Sequence, residues 1–89
     1  MKIKFARRFL KEYTRAAKNI QEAIGKRINL FRQDPFHPQL RNHPLSGKYS
    51  GYRSININGD WRAVYLEIES SPETIVSFEF LGTHSQLYK

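Results

Sequence analysis

His43 lies in the stretch Asn42-His43-Pro44-Leu45-Ser46-Gly47, and His84 in the closing stretch Gly82-Thr83-His84-Ser85-Gln86-Leu87-Tyr88. Between them come Arg53 and the run Asp60-Trp61-Arg62. Such side chains move protons and hold phosphates near neutral pH. An imidazole ordinarily titrates at about pH 6.5, so it can take up a proton and return one. A guanidinium stays charged and grips a phosphate through paired hydrogen bonds. RNA can be cut by these groups alone. Its 2′-OH attacks the neighbouring phosphorus while a base removes the hydroxyl proton. A cation stabilises the charge that builds on the phosphate, and an acid protonates the departing 5′-oxygen.

Other chemistries lack their parts. The chain has no cysteine. Neither His43 nor His84 has a close-spaced third ligand, and there is no His-Glu-x-x-His string, so no metal is expected. There is no glycine-rich phosphate loop and no serine in a nucleophile elbow, so no cofactor is expected. Taken singly, most of the candidates have ordinary explanations. Trp61 suits a core, Asp60 a turn, Arg62 an exposed strand, Tyr88 a cover for the sheet and a loop histidine mere solvation. His84 has the weakest such explanation, because a polar tail gains little stability from an imidazole.

These residues need elements to bring them together. The 89 residues fit one domain over residues 1–89. Met1–Phe5 alternates Ile3 and Phe5 with lysines, the pattern of a half-wet strand. Phe9, Leu10, Tyr13 and Ala17 fall at helical spacing, as do Ile20, Ala23, Ile24, Ile28 and Phe31. Asn19 with Glu22 three residues on predicts a capping box for a second helix running to about Gln33. Asp34-Pro35 stops that helix. Residues 34–51 hold three of the four prolines and two of the five glycines, which predicts a long connection with turns; loops of this length are often functional. Tyr52–Ile57 alternates, Asn58-Gly59 predicts a hairpin with both residues at positive φ, Trp61–Ile68 returns, and Thr74–Leu81 is the last strand. The fold class is α+β in the order β-α-α-β-β-β. A helical hairpin packs on an antiparallel meander, with the first strand at an edge or in the centre. The tail after Leu81 is expected to fold over an exposed sheet face.

Charge divides the chain. Residues 1–48 hold 12 basic and 3 acidic side chains, net +9, and residues 49–89 are net −2, for +7 in all. A basic half of this size fits a polyanion partner. No apolar run approaches a membrane span and no leader-like segment opens the chain, so a soluble cytoplasmic protein without a membrane partner is expected.

Set side by side, His43-x-Leu45-x-Gly47, Gly51-Tyr52-Arg53, Gly59-Asp60-Trp61-Arg62-x-x-Tyr65 and Gly82-Thr83-His84-Ser85-x-Leu87-Tyr88 resemble the RelE/ParE superfamily of toxin–antitoxin toxins, and most of all its YafQ-like branch. The resemblance covers essentially the whole chain. It implies a metal-independent endoribonuclease that cuts mRNA on the ribosome. It also implies an antitoxin partner, with a monomeric free toxin and a hetero-oligomeric complex. By the same resemblance His84 is the catalytic histidine and His43 a second one, with Asp60 and Arg62 in the catalytic set. Arg53, Trp61, Tyr88 and Lys48 are then the RNA-binding residues. Two positions depart from the branch: Asn56 stands where it has another histidine, and Phe80 where it has an arginine. Arg62 and Arg53 are then the cations expected at the phosphate. The other reading is a non-catalytic protein of the same fold, such as a gyrase inhibitor or an inactive antitoxin-binding relic.

Overall fold

Lysines alternating with Ile3 and Phe5 make β1 (Lys2–Phe5), a strand with one wet face. The computed structural model describes residues 1–88. Two helices follow, α1 (Arg7–Arg15) and α2 (Lys18–Gln33). The expected capping box at Asn19 does not form. Ala16 and Ala17 run extended between the helices, and the Ala17 carbonyl already accepts the Gln21 N–H, so α2 starts at Lys18 with no side-chain cap. Asn19 therefore lies inside the first turn.

Four more strands and a short helix complete the chain: β2 (His43–Pro44), β3 (Arg53–Asn58), β4 (Trp61–Ile68), β5 (Ile75–Thr83) and α3 (His84–Leu87). They form one sheet in the order β1-β5-β4-β3-β2. The meander β3-β4-β5 is antiparallel as expected, and β1 takes an edge, parallel to β5. Neither β2 nor α3 is marked by periodicity in the sequence. The β3–β4 hairpin sits where Asn58-Gly59 predicts it, but its central pair is Gly59-Asp60. Asn58 pairs with Trp61, and of these residues only Gly59 has positive φ, at 37°.

The helices cover one face. Phe9, Ile24, Ile28 and Phe31 bury against Ile55, Ile57, Ala63, Tyr65, Val76, Phe78 and Leu81. Phe31, Tyr65 and Phe78 pack with ring centroids 5.1–5.3 Å apart, edge-on or tilted, the arrangement that ring quadrupoles favour. A bulge in the β4–β5 ladder lets Val64 pair with Phe80 but Tyr65 with Phe78, skipping Glu79. An extra residue reverses which side the following side chains occupy. Phe78 is therefore in the main core, while Phe80 lies on the opposite face.

The long connection is tied down along its length. The Asp34 carboxylate accepts the Phe36 N–H, and His37 Nδ1 accepts the Gln39 N–H. Leu40 is fully buried. Asn42 bonds on both sides of its amide. Its Nδ2 donates to the Pro35 carbonyl and the Tyr65 hydroxyl, and its Oδ1 accepts from Arg53 Nε at 2.8 Å.

Burial pushes the Tyr65 hydroxyl above the usual phenol range; the Asn42 hydrogen bond and the Arg53 guanidinium pull the other way without cancelling it. The folded protein thus holds this proton more tightly than the unfolded chain does. The stability this contributes is fully present below the ordinary tyrosine pKa of 10.0 and is lost as pH rises through the higher folded value. Denaturation midpoints measured from pH 8 to 11 are therefore expected to fall at the alkaline end. Tyr65→Phe should fall less steeply than the parent, and identical slopes would refute the assignment.

Candidate active site

The face away from the helices carries the cavity of interest. Strand pairing puts His43 opposite Ser54, and Asn56 opposite Arg62, which in turn pairs with Gly82. Directly paired residues project to the same side of a sheet. Arg41, Leu45, Ser46, Tyr49, His84 and Tyr88 complete the lining of a cavity of about 440 Å³, within the range of about 300–1,000 Å³ usual for ligand sites.

The closing stretch reaches this cavity because it is a capped helix. Thr83 Oγ1 accepts the Gln86 N–H, and the Thr83 N–H donates to Gln86 Oε1 at 2.9 Å. This reciprocal pair starts a helix at once. Leu87 is buried and anchors it. Gly82 makes room, since a Cβ there would stand 3.0 Å from Gln86 Oε1. His84 and Tyr88 come one turn apart, and their ring centroids lie 4.9 Å apart, edge to face. The Tyr88 hydroxyl is 3.3 Å from Ser54 Oγ, tying the end of the chain to β3.

His43 is oriented by a backbone contact. Its Nδ1 lies 2.7 Å from the Arg41 carbonyl. A carbonyl only accepts, so Nδ1 carries the hydrogen and the neutral ring keeps its lone pair on Nε2. Arg41 itself is in the left-handed region, φ 47°, a conformation a non-glycine side chain holds only when its surroundings fix it. The Leu40 burial and the Asn42 bonds on either side supply that fixing. Arg62 Nη1 donates to the Gly59 carbonyl at 2.7 Å and the Trp61 carbonyl at 3.0 Å, so one arm of its fork braces the β3–β4 turn. The Asp60 carbonyl in that turn accepts the His84 N–H at 2.9 Å. Turn and short helix are thereby coupled.

A sequence model of the bacterial YafQ toxins of type II toxin–antitoxin systems matches residues 1–89. The chain belongs to the YafQ toxin family. The mRNA interferase toxin YafQ of Escherichia coli K12 is 32% identical over 54 residues, which is 61% of this chain and 54% of that protein's length. The crystal structure of YafQ from E. coli BL21(DE3) superposes with a TM-score of 0.78 at 23% identity, covering 98% of this chain and 97% of the other. The toxin in the E. coli DinJ–YafQ toxin–antitoxin complex gives a TM-score of 0.63 at 22% identity, covering 98% and 96%. At these identities the structural likeness establishes the fold.

In this YafQ-family chain the sequence candidates divide by face. His43, His84, Arg62 and Tyr88 meet in the cavity. Arg53 does not: it pairs with Tyr65, bonds Asn42 and lies 5.3 Å from the Phe36 ring, on the helix side. The second arginine lining the cavity is Arg41. Trp61 alternates with Arg62 and packs against the main core. Asp60 is exposed in the turn, and its carbonyl makes the link to His84. Lys48 stands outside the lining with Nζ 5.4 Å from the Tyr49 ring. Arg41, Ser54 and Tyr49 carry no sequence signal of their own. The Thr83-x-x-Gln86 spacing of a capping box does. Among the described residues, no group of three or more His, Asp or Glu side chains stands close enough to hold a metal ion.

Proposed function

We propose that this chain is the toxin of a type II toxin–antitoxin pair and cuts mRNA. The observation that carries the reading is the convergence of two imidazoles and two guanidiniums on one open cavity beside Tyr88. His43 Nε2 accepts the 2′-OH proton as O2′ bonds to phosphorus. Arg41 and Arg62 hold the phosphate oxygens while charge develops on them. His84, exposed to water, gives a proton to O5′ as the P–O5′ bond breaks. The products are a 2′,3′-cyclic phosphate and a free 5′-OH, so protons and charge balance without water or metal. Tyr88 orients the base, and the ribosome presents the mRNA in the cytoplasm.

The antitoxin is proposed from the family and from two open surfaces. β1 pairs with β5 on one side only. Between α1 and α2 runs an apolar groove of about 290 Å³, lined by Phe5, Phe9, Leu10 and Tyr13 facing Ile24 and Ile28. A flexible acidic segment that folds on binding would suit either surface and offset the basic half.

Primer extension on mRNA from cells expressing the chain tests the reading. Discrete cuts within coding regions are expected, together with growth arrest relieved by co-expressing the small neighbouring open reading frame. Intact transcripts accompanied by DNA damage would instead support a gyrase-inhibiting protein of the same fold.

A further inference from the structure

Beside the cavity, and in contact with Tyr88, lie three rings to which the cleavage chemistry gives no role: Tyr49, Tyr52 and Phe80. The Tyr49 ring stands edge-on to three others: Phe80 and Tyr88 at 5.8 Å and Tyr52 at 6.2 Å. Tyr52 and Phe80 are 5.4 Å apart. The bulge that skips Glu79 brings Phe80 to this face. Two cations sit on these rings. The Arg8 guanidinium carbon lies 4.5 Å above Phe80, and Lys48 Nζ is 5.4 Å from Tyr49. Arg8 comes from the first turn of α1, just after β1 ends at the Phe5–Phe78 pair, while β5 runs on unpaired by β1 through Phe80 to Thr83.

We infer that this patch is a second nucleotide subsite, taking the residue of single-stranded RNA next to the one held at Tyr88. The inference rests on the proposed RNA reading and adds where the neighbouring base is held: on the Arg8–Phe80 stack beside Tyr49. Several features support it. An exposed arginine stacked on a ring has its guanidinium plane pre-set, so little entropy is lost when a base stacks on it or a phosphate meets its edge. The rings are half-buried rather than sealed in the core. Aromatic faces with flanking cations are the pattern by which single strands are held irrespective of sequence. Tyr49 belongs both to the cavity lining and to the patch, so the two sites share a wall.

The test uses fluorescein-labelled 2′-O-methyl RNA of one to four nucleotides, which cannot be cleaved, and reads affinity by anisotropy. For the parent, affinity should step up on adding the second nucleotide. Arg8→Gln and Phe80→Leu should weaken the longer oligonucleotides about 5-fold or more, the loss of one stacking contact, and leave the mononucleotide unchanged. Arg8 is exposed, so its variant is expected to fold even if Phe80→Leu does not. If the parent shows the step and Arg8→Gln keeps it in full, the subsite is wrong while the RNA reading stands. Equal losses at every length would also overturn it, as a distortion of the whole face. If the parent binds RNA with no step at the second nucleotide, or binds none of any length, the subsite is wrong; the RNA reading is then decided separately by the primer-extension cuts on ribosome-presented mRNA.

Discussion

His84→Ala is expected to slow RNA cleavage about 10²–10⁴-fold, the usual effect of removing one acid–base group. The fold and antitoxin binding should survive. The imidazole is exposed, and its ring meets the Tyr88 ring edge to face. The helix that carries it is held by the Thr83–Gln86 pair, by buried Leu87 and by the backbone bond to Asp60, none of which needs the His84 side chain. An exposed substitution of this kind usually changes stability by less than about 0.5 kcal/mol. The contrast is Leu87→Ala, which should cost about 2–5 kcal/mol and lose activity by unfolding the end of the chain. Thermal melts beside single-turnover cleavage separate the two routes. Unaltered toxicity of His84→Ala at equal expression would remove His84 from the mechanism.

The fold was legible wherever a period was long enough to repeat. Ile24, Ile28 and Phe31 mark α2, and alternation in β3 puts Ile55 and Ile57 on one side. Alternation also placed Arg53 with those isoleucines. Arg53 therefore faces the helices, with its guanidinium spent on Asn42. Its place in the cavity falls to Arg41, from a loop that no period describes. The same limit applies to Phe80. Two-residue spacing puts it beside Phe78, and one bulged residue, unmarked in composition, moves it to the other face. A four-residue helix is too short for periodicity to reveal, so the Thr83–Gln86 box was its available sign. The tertiary convergence of His43 and His84 came from resemblance to a family and from the register of β2 on β3, not from spacing.

Arg62→Ala should cost about 10²–10³-fold in cleavage rate, the scale of losing one donor to a developing oxyanion. Arg62 has two jobs. One arm braces the carbonyls of Gly59 and Trp61, and the same turn holds His84 through the Asp60 carbonyl. Loss of the arm alone could displace His84. Two further variants separate bracing from charge. Arg62→Gln is neutral but can still donate to a turn carbonyl; if it cleaves as poorly as Arg62→Ala, the positive charge at the phosphate is what matters. Arg62→Lys keeps the charge on one nitrogen, which cannot brace the turn and grip a phosphate bidentately at once, so it should recover little. A cycle with His84→Ala adds the last constraint. Groups acting on one transition state lose more singly than their sum allows, so the double variant should be far less impaired than the product of the two single losses. Full recovery in Arg62→Gln would make Arg62 a brace for the turn and leave Arg41 as the arginine at the phosphate.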